Sequence, residues 1–210
     1  MNANLDMGGV FHASVMRHYQ VQKAIEEGDP EKELWLRNQL FASGAVYGDA
    51  GFVRMMESSD HNLIPDAGIN AMLDILFRTA IPKRTNWYIG AFKTNVTPAA
   101  GWLSNWSGAG GAAPASELVG TTDFTSSTRP EAVFTAAAAK KIACTAARFT
   151  LASGTSNITL YGATLNSVAT VAYNVTDQVL AAATAFTTAK SGLGAGDKID
   201  IEYEIAGASA

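Results

Sequence analysis

Between Ile64 and Pro82 the apolar residues recur three and four positions apart, and beyond Asn86 they recur mostly at two. In IPDAGINAMLDILFRTAIP, Ile69, Met72, Leu73, Leu76 and Phe77 follow the i, i+3, i+4, i+7, i+8 spacing of a helix that buries one side. Pro65 and Asp66 suit its first turn and Pro82 ends it, so the pattern predicts a helix over about 66–80. Gly68 weakens that helix locally, by roughly 1 kcal/mol relative to Ala. Upstream, GDPEKELWLRNQLFAS predicts a helix over about 30–42: Asp29 caps, Pro30 takes the first helical position, and Glu31 and Glu33 favour the positive end of the dipole. Residues 8–19 read as extended chain, and Phe52-Val53-Arg54-Met55-Met56 as a short strand.

After Asn86 the period is that of strands. NWYIGAF places Trp87, Ile89 and Ala91 on one side and Tyr88, Gly90 and Phe92 on the other. Apolar on both sides, it predicts a strand interior to a sheet, lying under the helix of 66–80. Residues 98–116 are rich in Gly, Ala, Pro and Ser and predict a long loop with Trp102, Leu103 and Trp106 as its anchors. Short extended runs then recur between turn signals: VFTAAA, ARFTLAS, ITLYGATLN, ATVAYNV, AAATAFTTA and KIDIEYEI. In the last, Ile199, Ile201, Tyr203 and Ile205 alternate with Asp200, Glu202 and Glu204, an acidic row expected on the solvated side of an edge strand. The fold class implied is mainly β with an α-containing N-terminal third. Its body is an antiparallel β-sandwich or jelly roll carrying one or two packed helices. Residues 1–60 are expected as an arm with the inserted helix, and 61–210 as the β-rich body.

Composition adds a lean towards contact. Only 16% of the 210 residues are charged, against about 25% in ordinary globular chains, and the net charge is −4. A surface filled with small, weakly polar residues is common where much of the exterior meets other subunits. The acidic balance argues against non-specific nucleic-acid binding, which needs basic patches. No run of about 20 apolar residues suggests a membrane span, and the first twenty residues lack the basic-then-apolar order of a secretory signal. The Asn-x-Ser/Thr triplets at Asn95, Asn105, Asn157 and Asn174 are then simplest as chance.

Candidate chemistry is sparse. His12 and His18, six apart on an extended run, would share one face of a regular strand as a metal or acid–base pair; surface or interface histidines are the simpler reading. Asp60-His61 reads as part of the turn into the helix. Cys144, the single cysteine, excludes an intramolecular disulfide, and its ACTAARF context reads as a buried thiol despite nearby Lys140 and Lys141. SGLGAGDKIDI has glycines but not phosphate-loop spacing, with Asp197 where a lysine is required and a strand instead of a helix following. No catalytic, cofactor-binding or metal-binding residue is assigned. Trp87 and Tyr88 are expected in the core. The candidate interface residues are Trp35, Leu36, Trp102, Leu103 and Trp106, since Trp is enriched at interface anchors. Exposed, the loop tryptophans would instead stack on sugar rings.

HNLIPDAGINAMLDILF, NWYIGAF and TPAAGWLS resemble segments of a group of tailed-bacteriophage virion proteins. ELVGTTDFTSSTRPEAVF is similar to their strand–turn–Arg-Pro element, and GDKIDIEYEI to their closing Gly-Asp strand. The similarity runs piece by piece over about residues 50–205; residues 20–48 insert a charged, Trp-containing helix where that group has a short hairpin. The resemblance implies a non-enzymatic structural protein without cofactor, resident in the virion and assembled in the host bacterial cytoplasm. A capsid decoration or cement role is expected. Its partners would be the major capsid protein, other virion subunits and copies of itself, with no nucleic acid and no membrane. A tail-fibre, adaptor or other tail-associated module binding a protein or surface glycan is the alternative.

Overall fold

The computed structural model describes residues 7–18, 46–47, 52–61, 63–77, 84–102, 106, 115–171 and 178–207. Within them the protein is mainly β, built from two antiparallel sheets and one helix. The larger sheet contains β1 (Met7–His18), β2 (Val46–Tyr47), β3 (Phe52–His61), β5 (Lys141–Ala143), β6 (Ala147–Thr150) and β9 (Lys198–Gly207). Its order is β2-β3-β1-β9-β5, with β6 also on β9. The smaller sheet is β4 (Tyr88–Phe92), β7 (Ile158–Asn166) and β8 (Leu180–Leu193), with β7 between the other two. The helix α1 spans Asp66–Phe77. The helix expected over 30–42 lies outside the described residues. Strands from residues 7–18 and 52–61, expected in an arm, enter the larger sheet, where β1 pairs along its length with β9 from Met7↔Gly207 to Met16↔Lys198.

The two-residue alternation of β9 explains its place. Ile199, Ile201 and Tyr203 are buried and join Phe11 and Ala13 of β1 with Ile89, Ala91, Ala163 and Leu165 of the smaller sheet in one core. Phe11 and Tyr203 lie ring against ring at 4.5 Å. The acidic row on the other side of β9 does not mark an edge, because β1 covers one flank and β5 and β6 share the other. Two of its three carboxylates, Asp200 and Glu204, are instead partnered across strands. Arg148 Nε and Nη2 donate to Asp200 at 2.7 and 2.6 Å, and Lys141 Nζ donates to Glu204 at 2.9 Å.

NWYIGAF also departs from expectation. β4 flanks the smaller sheet instead of occupying its centre, and it pairs with β7 from Tyr88↔Asn166 to Phe92↔Gly162. Its free flank is closed by single bridges, Tyr88↔Glu131 and Phe92↔Glu117. Both faces are nevertheless buried, which is why apolar residues occur on each. Ile89 and Ala91 face the core between the sheets, and Phe92 joins a second cluster with Trp102, Trp106, Ala115, Leu180 and Ala183. The helix packs on β8, not on β4. Among the expected strands, ARFT, ITLYGATLN and the Ala-rich run of β8 form as read. VFTAAA does not: it is irregular chain tied by the bridges Phe134↔Cys144 and Ala138↔Lys141.

Candidate functional site

Among the described residues no group of three or more His, Cys, Asp or Glu side chains is placed to hold a metal ion. His12 is half-buried and sits opposite Glu202 in the ladder; the side chain of His18 lies outside the described residues. Cys144 is buried, its Sγ accepting from the Tyr203 N–H at 3.1 Å, and burial pushes its pKa above the ordinary thiol value. A protonated, enclosed thiol is a poor nucleophile. The glycines of SGLGAGDKIDI form the turn between β8 and β9, closed by Gly194 N–H donating to Asp197 at 2.9 Å, with Gly196 in the left-handed region at φ 82°.

The two loop tryptophans form a cluster roofing the outer face of the smaller sheet. Trp102 and Trp106 stack with 5° between their planes, and Phe92 meets each edge-on. Trp106 is 0% exposed and Trp102 6%, so the pair is core to this chain and offers no ring face to a partner or a sugar. Both were expected as interface anchors. They turn inward because β4, covered by the other sheet on one face only, leaves Phe92 and its neighbours to be sealed by these two rings. Trp35, Leu36 and Leu103 lie outside the described residues.

Beside this cluster lies a polar network whose pairing the sequence pattern did not reveal, built on the Arg129-Pro130 element noted above. Arg129 is fully buried; its Nε and Nη2 donate to the two carboxylate oxygens of Glu117 at 2.5 and 2.8 Å, and Nη1 donates to the Val168 carbonyl at 2.9 Å. The guanidinium lies 5.8 Å from the Trp106 ring centre. Trp106 Nε1 donates to Asn166 Oδ1 at 2.8 Å, and Asn166 Nδ2 donates to Thr164 Oγ1 at 3.0 Å. Gly90 makes room for these groups: a Cβ there would stand 2.5 Å from Thr164 Oγ1 and 2.8 Å from Glu117 Oε1. Charges that must be buried are held by two-pronged geometry, which fixes the 115–131 segment on the sheet.

A second enclosed polar group joins the sheets. Asp60 of β3 accepts from the Thr187 N–H at 2.7 Å and from its hydroxyl at 2.6 Å. Lys190 of β8 is 1% exposed, with Nζ 5.6 Å from the Phe186 ring centre. Burial lowers the Lys190 pKa, and the negative charge of Asp60 opposes that shift. The only hint in the sequence is one lysine inside an otherwise small and apolar run.

The helix supplies the surface. Pro65 O accepts from the Gly68 and Ile69 N–H groups at 2.8 and 3.0 Å, and Asp66 N–H donates to Ala100 O at 3.0 Å, anchoring the first turn. Of the expected buried stripe of Ile69, Met72 and Leu73, only Met72 turns inward. Ile69 is 43% and Leu73 49% exposed, whereas Gly68 is buried and Ala71, Met72 and Ile75 turn inward with it. The helix is thus rotated by roughly 100°, one residue step, from the predicted setting. Gly68 is the reason: a Cβ there would lie 2.5 Å from the Ala181 carbonyl oxygen, so the helix seats its smallest residue against β8. The side chains of Leu76 and Phe77 lie outside the described residues. The result is a helix apolar on two sides, with exposed Leu63 nearby. Beneath the inner side is a cavity of about 220 Å³, lined among the described residues by α1, both sheets, Trp87 and Phe134.

The chain matches no known family. No curated protein matches it either, so the reading of this site rests on its own chemistry and on the likeness in the sequence.

Proposed function

We propose that this chain is a non-enzymatic structural protein of a tailed-phage virion, working by contact with neighbouring subunits. Within the virion the reading is a capsid decoration or cement protein that bridges shell subunits. The observation that carries it is the helix apolar on two sides: Ile69 and Leu73 point to solvent on an element whose inner side already faces the two sheets. A helix apolar around so much of its circumference belongs between two protein surfaces. The low charge content and the virion-protein resemblance in the sequence point the same way. The two sheets then serve as the rigid β-sandwich body that presents the helix. Many copies, each burying a modest apolar patch, give durable attachment through avidity.

The test is incorporation. A tagged chain, supplied during infection by a phage that carries it, should co-purify with particles, and an Ile69→Ser/Leu73→Ser variant should fold but stay in the supernatant. Separating heads from tails distinguishes the decoration role from a tail-associated one. Equal incorporation of the double variant, or a wild-type chain found in neither fraction, refutes the proposal. Deleting residues 99–116 is not a usable test, because it would remove Trp102, Trp106 and Ala115 from the second cluster.

A further inference from the structure

We infer that the cavity beneath α1 is a binding site for a small neutral apolar molecule, aromatic or alkyl, of about ten non-hydrogen atoms. Its volume is about 220 Å³. Dry apolar cavities of about 150 Å³ already take benzene, so this one has room for a larger guest. Every described lining side chain is apolar or aromatic, and none carries a charge. Leu165 and Tyr203, from opposite sheets, are buried and lie deep in the site. Ala71, Ile75, Phe134 and Ile142 are half-buried, which gives the cavity a mouth. Three rings, Trp87, Phe134 and Tyr203, offer faces and edges for dispersion contact. Met72, unbranched and polarizable, can adjust to the guest.

A small molecule fits these facts better than a partner's side chain. The cavity lies between the helix and the two sheets, whereas Ile69 and Leu73 emerge about a third of a turn round the helix. The docking surface proposed above is therefore a separate patch. Gly68 pins the first turn of α1 to Ala181, so the cavity cannot be closed by sliding the helix inward there.

The experiment uses the full chain with methyl-labelled methionine and two probes, indole and 1-octanol. A saturable shift of the Met72 methyl resonance is expected. At about one hundred times the Kd of the probe the melting temperature should rise by about 5–10 °C. Ala71→Phe, which places a ring in the cavity, should abolish the shift, and Ile69→Ser on the outer patch should leave it intact. If Ala71→Phe does not fold, Ile75→Trp at the mouth replaces it, with at least a tenfold weakening expected. No saturable shift with either probe overturns the inference, as does unchanged binding in the filled variant. A Met72 shift that tracks protein concentration without probe would overturn it in favour of a protein side chain as occupant. None of these readouts depends on incorporation into particles, so this inference and the proposed function fail separately.

Discussion

Replacing Arg129 with Met isolates the buried ion pair. Arg129 and Glu117 have side chains 0% and 4% exposed, and two charge-assisted hydrogen bonds join them. Met keeps much of the volume but leaves a carboxylate enclosed without its cation. Removing one partner of such a pair costs about 3–5 kcal/mol, far more than the pair is worth against an apolar substitute. The Val168 carbonyl also loses its donor, worth about 1 kcal/mol, and Trp106 loses the cation near its ring. These losses overlap, so the total should be about 4–5 kcal/mol, or a fall of about 10–20 °C in melting temperature for a chain of this size. Urea unfolding followed by tryptophan fluorescence measures it, provided the slope with denaturant is unchanged. The control is Glu117→Gln/Arg129→Met, which removes both charges and should recover at least about 2 kcal/mol relative to Arg129→Met alone. A loss under about 1 kcal/mol in the single variant, or strictly additive effects in the double one, would refute the argument.

Two further outcomes follow from the same geometry. Gly68→Ala should destabilise the protein by about 1–3 kcal/mol, although Ala is the better helix former by about 1 kcal/mol, because the new methyl meets the Ala181 carbonyl at 2.5 Å. A thermal melt higher than that of the parent would show that the close approach is not needed. Lys190 sets a pH dependence. Burial holds its pKa below the ordinary 10.5, so between the two values the unfolded chain binds a proton that the folded chain does not. Stability relative to a Lys190→Met variant should therefore climb as pH rises through that window and level off above 10.5. A flat difference between pH 7 and pH 10.5, measured by urea midpoints in both proteins, would show that Lys190 is no more desolvated than a surface lysine.

The strands were legible where alternation was strict. β9 and most of β6, β7 and β8 follow from Ile, Phe, Leu and Ala at every second position, because a period of two is a local property of the chain. What could not be read were choices made by distant residues. The setting of α1 depends on Gly68 meeting Ala181, a contact between segments far apart in sequence, and the apolar count alone favoured Ile69, Met72 and Leu73. The acidic row of β9 looked like an edge because cross-strand partners such as Arg148 and Lys141 are invisible to a pattern of alternation. Trp102 and Trp106 sat in a Gly-rich stretch that reads as loop, and they are loop; only the unfilled face over Phe92 shows that they fold inward. Arg129 and Glu117 both lie in the ELVGTTDFTSSTRPEAVF stretch, but nothing in its pattern pairs them. Their pairing is fixed by Gly90 opening space in a strand laid down well before either of them.

The pairing of β1 with β9 puts the earliest-made strand of the larger sheet next to the last. At synthesis rates of 5–20 residues per second, roughly ten to forty seconds separate the two on the ribosome. During that interval β1 has only β3 beside it, and Phe11 has no Tyr203 to cover it. A chain stopped before β9 therefore cannot complete the larger sheet and should leave apolar side chains such as Phe11 uncovered. Only a chain extended through Gly207 can close that sheet, a dependence written into strand order.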